Sequence, residues 1–213
     1  MNIVQRLKPR SIREAVSLFF LVLGLVLIGY VASQYWDMYH SQRQLQAQWE
    51  KQVVAATTPG APKLTAAEML TRVSIPSIKL DAIVLEGATN RQLTRGPAHI
   101  TDTALPGETG NAVITGHRDT FFRHIYELQK GDAIFVRRNG ESFKYEVTGK
   151  KIVKPADVSA LDPTPDAQLT LITCYPTYYI GPAPERLVVF SKLVEHGTEI
   201  NAANSAGSGS ASH

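Results

Sequence analysis

The chain has a single cysteine among 213 residues. It can form no disulfide within itself and no CxxC metal or redox motif. It has no HExxH pair and no glycine-rich phosphate loop, so neither zinc hydrolysis nor nucleotide chemistry has a motif to stand on. Nothing in the pattern requires a cofactor or a metal, although scattered carboxylates leave calcium open. There are no internal repeats, and helical periodicity is scarce beyond residue 70. The larger part of the chain also lacks net charge. The formal +3 of the whole is matched by residues 1–14, where Arg6, Lys8, Arg10 and Arg13 outweigh Glu14, and the remainder balances. Basicity confined to the N-terminus argues against a nucleic-acid footprint and for a membrane-topology signal.

Charge is absent again from residues 15–36. The apolar core at 15–33 comes close to the ~20 residues that cross a bilayer as a helix. Tyr30, Tyr35 and Trp36 fall where amphipathic rings settle at the far interface. The preceding basic cluster predicts a cytoplasmic N-terminus and an exported C-terminal portion. A cleaved signal peptide is the rival, with Val31, Ala32 and Ser33 as a small-residue site. Signal h-regions are shorter, about 7–15 residues, which favours an anchor. Residues 1–14 then form a cytoplasmic basic segment, 15–36 a transmembrane anchor and 37–70 an extracytoplasmic connector. The connector is rich in Gln and Ala up to residue 56 and reads as a helix continuing past the membrane, with a spacing role. The Thr/Pro/Gly run at 57–62 breaks it.

From residue 71 the pattern changes to short strands separated by turn residues. Strand candidates are 72–75, 82–85, 112–115, 132–138, 141–154, 169–174 and 187–194. Asn139-Gly140 is a strong hairpin signal. Short helical segments are expected at 90–94 and 119–129, with a turn at 157–161. The fold class is mostly β: a closed β-barrel of seven to eight strands with a few short helices, preceded by one N-terminal transmembrane helix. A sandwich fits the alternation almost as well. The domain runs over 71–194, and 195–213 reads as a flexible, polar tail.

Three side chains stand out. Cys174 ends an apolar, β-branched run and precedes Pro176. A lone strand cysteine is most often a small buried hydrophobe, but a thiol at a strand mouth in an exported protein needs a reason. Arg186 opens the next strand. If the two strands pair, a fixed cation comes to the thiol, where it favours thiolate and stabilises an oxyanion; the plainer reading is an arginine solvating a strand end. A proton carrier is still required. His40 lies in the connector, and His196 and His213 lie in or near the tail. His99 sits in a Pro-containing loop and His124 in a short helix, and for both a structural or surface role is favoured. His117 follows a strand and Gly116, at an element boundary, and Asp119 is placed to cap the helix that follows.

These segments resemble sortases. Thr170-Leu171-Ile172-Thr173-Cys174 matches the TLxTC motif, the arginine of APERLVV lies twelve positions further on, and NAVITGHRDTFF is similar to the sortase histidine segment. The resemblance covers essentially 71–194, and TCYP, YIGPAPERLVV and GHRDTFF look most like class D. It implies a sortase-like barrel and a cysteine transpeptidase. In it Cys174 forms a thioester with an LPxTG-like sorting signal. His117 protonates the leaving amine, and Arg186 holds substrate or stabilises the oxyanion. Thr173 takes the place of the family's pre-cysteine threonine in the substrate-binding site, with an ordinary strand residue as the alternative. The loop at 155–168 corresponds to the wall of the recognition groove. The implied partners are the sorting signal of an exported protein and an amine acceptor, either peptidoglycan or another protein. The implied location is the outer face of a bacterial cytoplasmic membrane. Two other functions fit the same residues: a cysteine hydrolase that resolves the thioester with water, and a non-catalytic barrel that binds surface peptides.

Overall fold

Alternating apolar and polar residues resolve into eight strands in the computed structural model, which describes residues 12–57, 69–179 and 181–198. Compactness divides the chain at residue 40, into Met1–His40 and Ser41–His213. Most of the basic segment 1–14, the helix-breaking run at 58–62 and the tail beyond 198 lie outside the described residues.

Helix α1 spans Ile12–Thr57. Within the first unit its apolar stretch has Phe19, Phe20, Leu25 and Ile28 all exposed. It is long and apolar enough to cross a membrane. His40 lies against Trp36 with ring centroids 4.4 Å apart and the ring planes tilted by 50°.

In the second unit the remaining turns of α1 are packed against the barrel. Leu45 and Trp49 are buried with Ile83, and Val53, Leu70 and Leu85 close around them. The strands are β1 (Thr71–Ile75), β2 (Leu80–Glu86), β3 (Ala98–His99), β4 (Asn111–Gly116), β5 (Ala133–Arg138), β6 (Glu141–Val153), β7 (Gln168–Tyr175) and β8 (Glu185–Thr198). They close in the order β1-β2-β3-β4-β7-β8-β6-β5. The β2–β3 and β4–β7 pairs are parallel and the rest antiparallel. Closure excludes the sandwich and leaves no long open edge.

The seven expected strands are all present, each within a few residues of its expected limits. Strand β3 was not foreseen, because two residues carry no period. Being so short, it leaves the backbone of Ile83 without a strand partner on that side of β2. Gln42 of α1 fills the gap: Ile83 N–H donates to its Oε1 at 2.9 Å, and its Nε2 donates to the Ile83 and Arg95 carbonyls at 3.2 and 2.8 Å. A second helix, α2 (Asn90–Arg95), carries a capping box between Thr89 and Gln92, as the pattern at 90–94 predicts.

The segment 119–129 departs from expectation. It is a series of turns ending in one 3-10 turn, Ile125–Glu127, not a helix, and Asp119 is exposed and caps nothing. Packing is the reason. Phe122, Ile125 and Leu128 must all reach the barrel core, and Phe122 N–H bonds back to the His117 carbonyl at 3.1 Å. The interior itself is filled by Val73, Ile75, Ile114, Ile134, Leu169, Leu171 and Tyr145, all fully buried.

Candidate active site

Strand periodicity decides which face each site residue takes. On β7, Leu169 and Leu171 belong to the barrel core, and Thr173 shares their face. Ile172 and Cys174 therefore point outward, and Ile172 packs in a separate outer cluster with Val153, Ala160, Val188 and Phe190. On β8, Leu187 and Val189 face the core, so Arg186 and Val188 face out. Register then fixes the level. Cys174 lies opposite Arg186, and Ile172 opposite Val188.

His117 comes to the same place through β4. The parallel β4–β7 pair runs from Asn111 opposite Gln168 to Gly116 opposite Thr173. Parallel β4 and β7 end, and antiparallel β8 begins, at one end of the barrel. Cys174 and Arg186 thus stand side by side on neighbouring strands, with ~4.8 Å between strands, and His117 stands at the same end, just past the last pair of β4 with β7. All three are half-buried, which leaves each reachable.

The local ties follow from the sequence. Thr173 is 1% exposed, and its hydroxyl donates to the Gly116 carbonyl at 2.7 Å. It faces away from the thiol and locks β7 to β4 where His117 departs. Thr115 Oγ1 donates to the Ile172 carbonyl at 3.1 Å, one residue back. Gly116 is needed by close approach: a Cβ there would lie 2.9 Å from the Phe122 ring. Arg186 Nη1 donates to the carbonyls of Ala183 and Glu185, at 3.3 and 2.9 Å. That aims the start of its strand, and among the described residues the rest of its donor fork is unengaged. Neither the His117 ring nor the Cys174 thiol has a hydrogen-bond partner among the described residues.

The other histidines are accounted for otherwise. His99 is 3% exposed. Its Nδ1 faces the Glu86 carboxylate at 3.0 Å, and its Nε2 faces the Ala104 carbonyl at 2.9 Å. Both nitrogens are occupied, so it serves structure. His124 pairs with Glu127 at 2.8 Å on the surface. His196 stacks on Phe143 at 4.7 Å. His213 lies outside the described residues. Among the described residues no cluster of three His, Cys, Asp or Glu side chains is arranged to hold a metal.

Three residues that the sequence did not single out shape the surroundings. Asn111, 3% exposed, donates from Nδ2 to the Ala160 and Asp162 carbonyls at 2.9 and 3.1 Å. It thereby holds the 154–167 loop, with its 3-10 turn Ser159–Leu161, over the outer apolar cluster. Asp157 braces the same loop. The Ser159 hydroxyl and N–H on its carboxylate hold that carboxyl below its ordinary range. Arg118 reaches across to the loop between β7 and β8, with Nη1 on the Pro176 carbonyl at 3.1 Å and Nη2 on that of Gly181 at 2.7 Å. Adjacency to His117 was the only sequence signal for it.

A closed mixed barrel with a thiol, an imidazole and a guanidinium at one end defines a narrow class of protein. The family profile described as Sortase domain matches residues 73–194, more than half of the sequence, and the chain belongs to the sortase family. It is 37% identical to sortase D of Bacillus subtilis over 123 residues, 57% of this chain and 62% of that protein, so the match spans less than two thirds of that relative. It is 28% identical to sortase A of Bacillus anthracis over 191 residues, 79% of this chain and 89% of that one. Among solved structures, sortase C-3 of Streptococcus pneumoniae superposes with a TM-score of 0.60 at 25% identity, covering 80% of this chain and 89% of that one.

Proposed function

We propose that this chain is a membrane-anchored cysteine transpeptidase acting on the outer face of a bacterial cytoplasmic membrane. Residues 1–14 lie inside, 15–36 span, and the catalytic domain runs over 71–194. The substrate is an LPxTG-like sorting signal on an exported protein. The acceptor is an amine on peptidoglycan or on another protein.

The Cys174 thiolate attacks the scissile carbonyl carbon, and the developing oxyanion is met by Arg186. The C–N bond then breaks, with His117 giving its proton to the departing amine. A thioester remains on Cys174. The incoming amine attacks it, His117 takes up the proton, and the C–S bond breaks to return the thiolate. The partly exposed Ile172 and Phe190, beside the 154–167 loop, are suited to the apolar part of an extended peptide. Thr173 acts from behind, by holding β7 to β4.

The observation that supports this reading is that Cys174 lies opposite Arg186 on β7 and β8, while His117 directly follows the parallel strand β4 at the same end of the barrel. The test is to incubate the detergent-solubilised full chain with an LPxTG-like peptide, with and without excess small amine, and to analyse the products by mass. The proposal expects a new amide in the presence of amine. Hydrolysis alone, even with amine in excess, makes the protein a hydrolase. Binding without cleavage makes it a peptide-binding barrel.

A further inference from the structure

The loop between β7 and β8 begins right after Tyr175, the residue that follows the thiol. It carries Tyr178, 83% exposed, at its outer side. A surface loop with so little packing is expected to move. Yet both of its limbs end on one side chain. Arg118 donates to the Pro176 carbonyl at 3.1 Å and to the Gly181 carbonyl at 2.7 Å. Both acceptors are backbone, and they lie on opposite sides of the loop tip. A planar fork suits two such carbonyls, since each of its two terminal nitrogens meets one; an ammonium offers its donors from a single atom on a flexible stem. Among the described residues Arg118 makes no ion pair, so its charge is committed to this clamp.

The base of the clamp is rigid. Arg118 follows His117, whose carbonyl accepts from Phe122 N–H at 3.1 Å, and Phe122 is wholly buried against Gly116. Arg118 therefore ties the segment that carries the imidazole to the loop that continues from the thiol. The tie is separate from the strand pairing of β4 with β7, which ends at Gly116 opposite Thr173. Beyond that pair the strands give nothing further to hold His117 and Cys174 in mutual register.

We infer that Arg118 is a positioning residue, which clamps the β7–β8 loop to the His117 turn and so holds the imidazole and the thiol in reacting geometry. This rests on the proposed acyl-transfer function. Its loss is therefore expected to act on the chemical step. Misplacement of reacting groups by about 1 Å costs on the order of 100-fold in rate.

The test compares the native full chain with Arg118→Ala and Arg118→Lys. Arg118→Ala is expected to lower kcat for peptide cleavage by roughly 10- to 100-fold and to leave KM within about twofold, as for an interaction made only in the transition state. Arg118→Lys, which keeps the charge but loses the pre-organised fork, is expected to fall between. Amide hydrogen exchange over residues 177–184 is expected to speed up in Arg118→Ala and to stay native over β4 and β7. Unchanged kcat, a loss confined to KM, or unchanged exchange in the loop each overturns the inference. If the native chain itself forms no thioester, the proposed function fails. The clamp is then judged by loop exchange and by iodoacetamide alkylation of Cys174, and equal rates in native and Arg118→Ala overturn it.

Discussion

Replacing Asn111 with alanine removes the bolt between β4 and the loop over the outer apolar cluster. The side chain accepts from Thr170 Oγ1 at 2.7 Å and from Gln168 Nε2 at 3.3 Å, besides donating to the Ala160 and Asp162 carbonyls. Thr170 is fully buried. Its hydroxyl would be left short of an acceptor, with only the Gln168 amide still donating to it, at 3.1 Å. An unmet buried polar group costs about 1–3 kcal/mol, and each of the two carbonyl bonds adds about 0.5–1 kcal/mol net, which together give roughly 2–5 kcal/mol. For a domain of this size 1 kcal/mol corresponds to about 2–4 °C, so Tm should fall by roughly 4–20 °C. Calorimetry on the full chain in detergent measures this, and limited proteolysis should cut first within 154–167. Thr170→Val supplies the control. It removes the stranded hydroxyl at equal shape, so Asn111→Ala should cost about 1–2 kcal/mol less in that background. A Tm change under about 2 °C, or strict additivity of the two substitutions, would refute the network.

Three further outcomes follow from the packing. Gly116→Ala forces a methyl against the Phe122 ring, so it should cost about 1–3 kcal/mol of stability and, by displacing the His117 turn, slow thioester formation; a fully active, fully stable variant contradicts the close packing. Trp49→Ala removes a buried side chain from the contact of α1 with β2 and takes away the ring under the Arg72 guanidinium, 5.0 Å from its centroid; chemical denaturation should register a loss of about 3 kcal/mol. Tyr145 accepts from Gly107 N–H at 2.7 Å inside the barrel, and burial pushes its phenol from 10.0 up to about 12. A raised folded value leaves its contribution to stability whole below pH 10 and lost as pH rises towards about 12. Native stability should therefore fall more steeply across that interval than that of Tyr145→Phe, as read by urea titration at each pH.

Local features were legible wherever the sequence itself carries the constraint. Asn139 and Gly140 both take positive φ, 54° and 74°, as a two-residue hairpin turn requires, and β5 and β6 pair on either side. The seven strands with a readable alternation are present, and Asn90–Arg95 is helical with its cap in place. Long-range features were not legible. The contact of Gln42 with Ile83 joins residues 41 positions apart, and nothing local to either announces it. The connector therefore read as a spacer, although residues 41–57 contribute a buried tryptophan and leucine. The segment 119–129 had helix-compatible composition, but core demand at Phe122, Ile125 and Leu128 overrode it. For the candidate site, the residue types and strand-end positions of Cys174, His117 and Arg186 were readable. Their meeting at one end of the barrel was not, because it depends on a parallel β4–β7 pairing between segments 57 residues apart. The same dependence hid Asn111 and Arg118, whose partners lie in other loops.

The central claim is that Cys174 carries the acyl group. Intact-protein mass spectrometry on the full chain, quenched in acid after mixing with an LPxTG-like peptide, tests it most directly. The account predicts an added mass equal to the peptide up to its scissile bond, located on Cys174, labile to hydroxylamine as a thioester is, and absent from Cys174→Ala. His117→Ala and Arg186→Ala should slow its appearance by several orders of magnitude and by roughly 100-fold, respectively. No adduct on the native chain, or an adduct that persists in Cys174→Ala, would contradict the account.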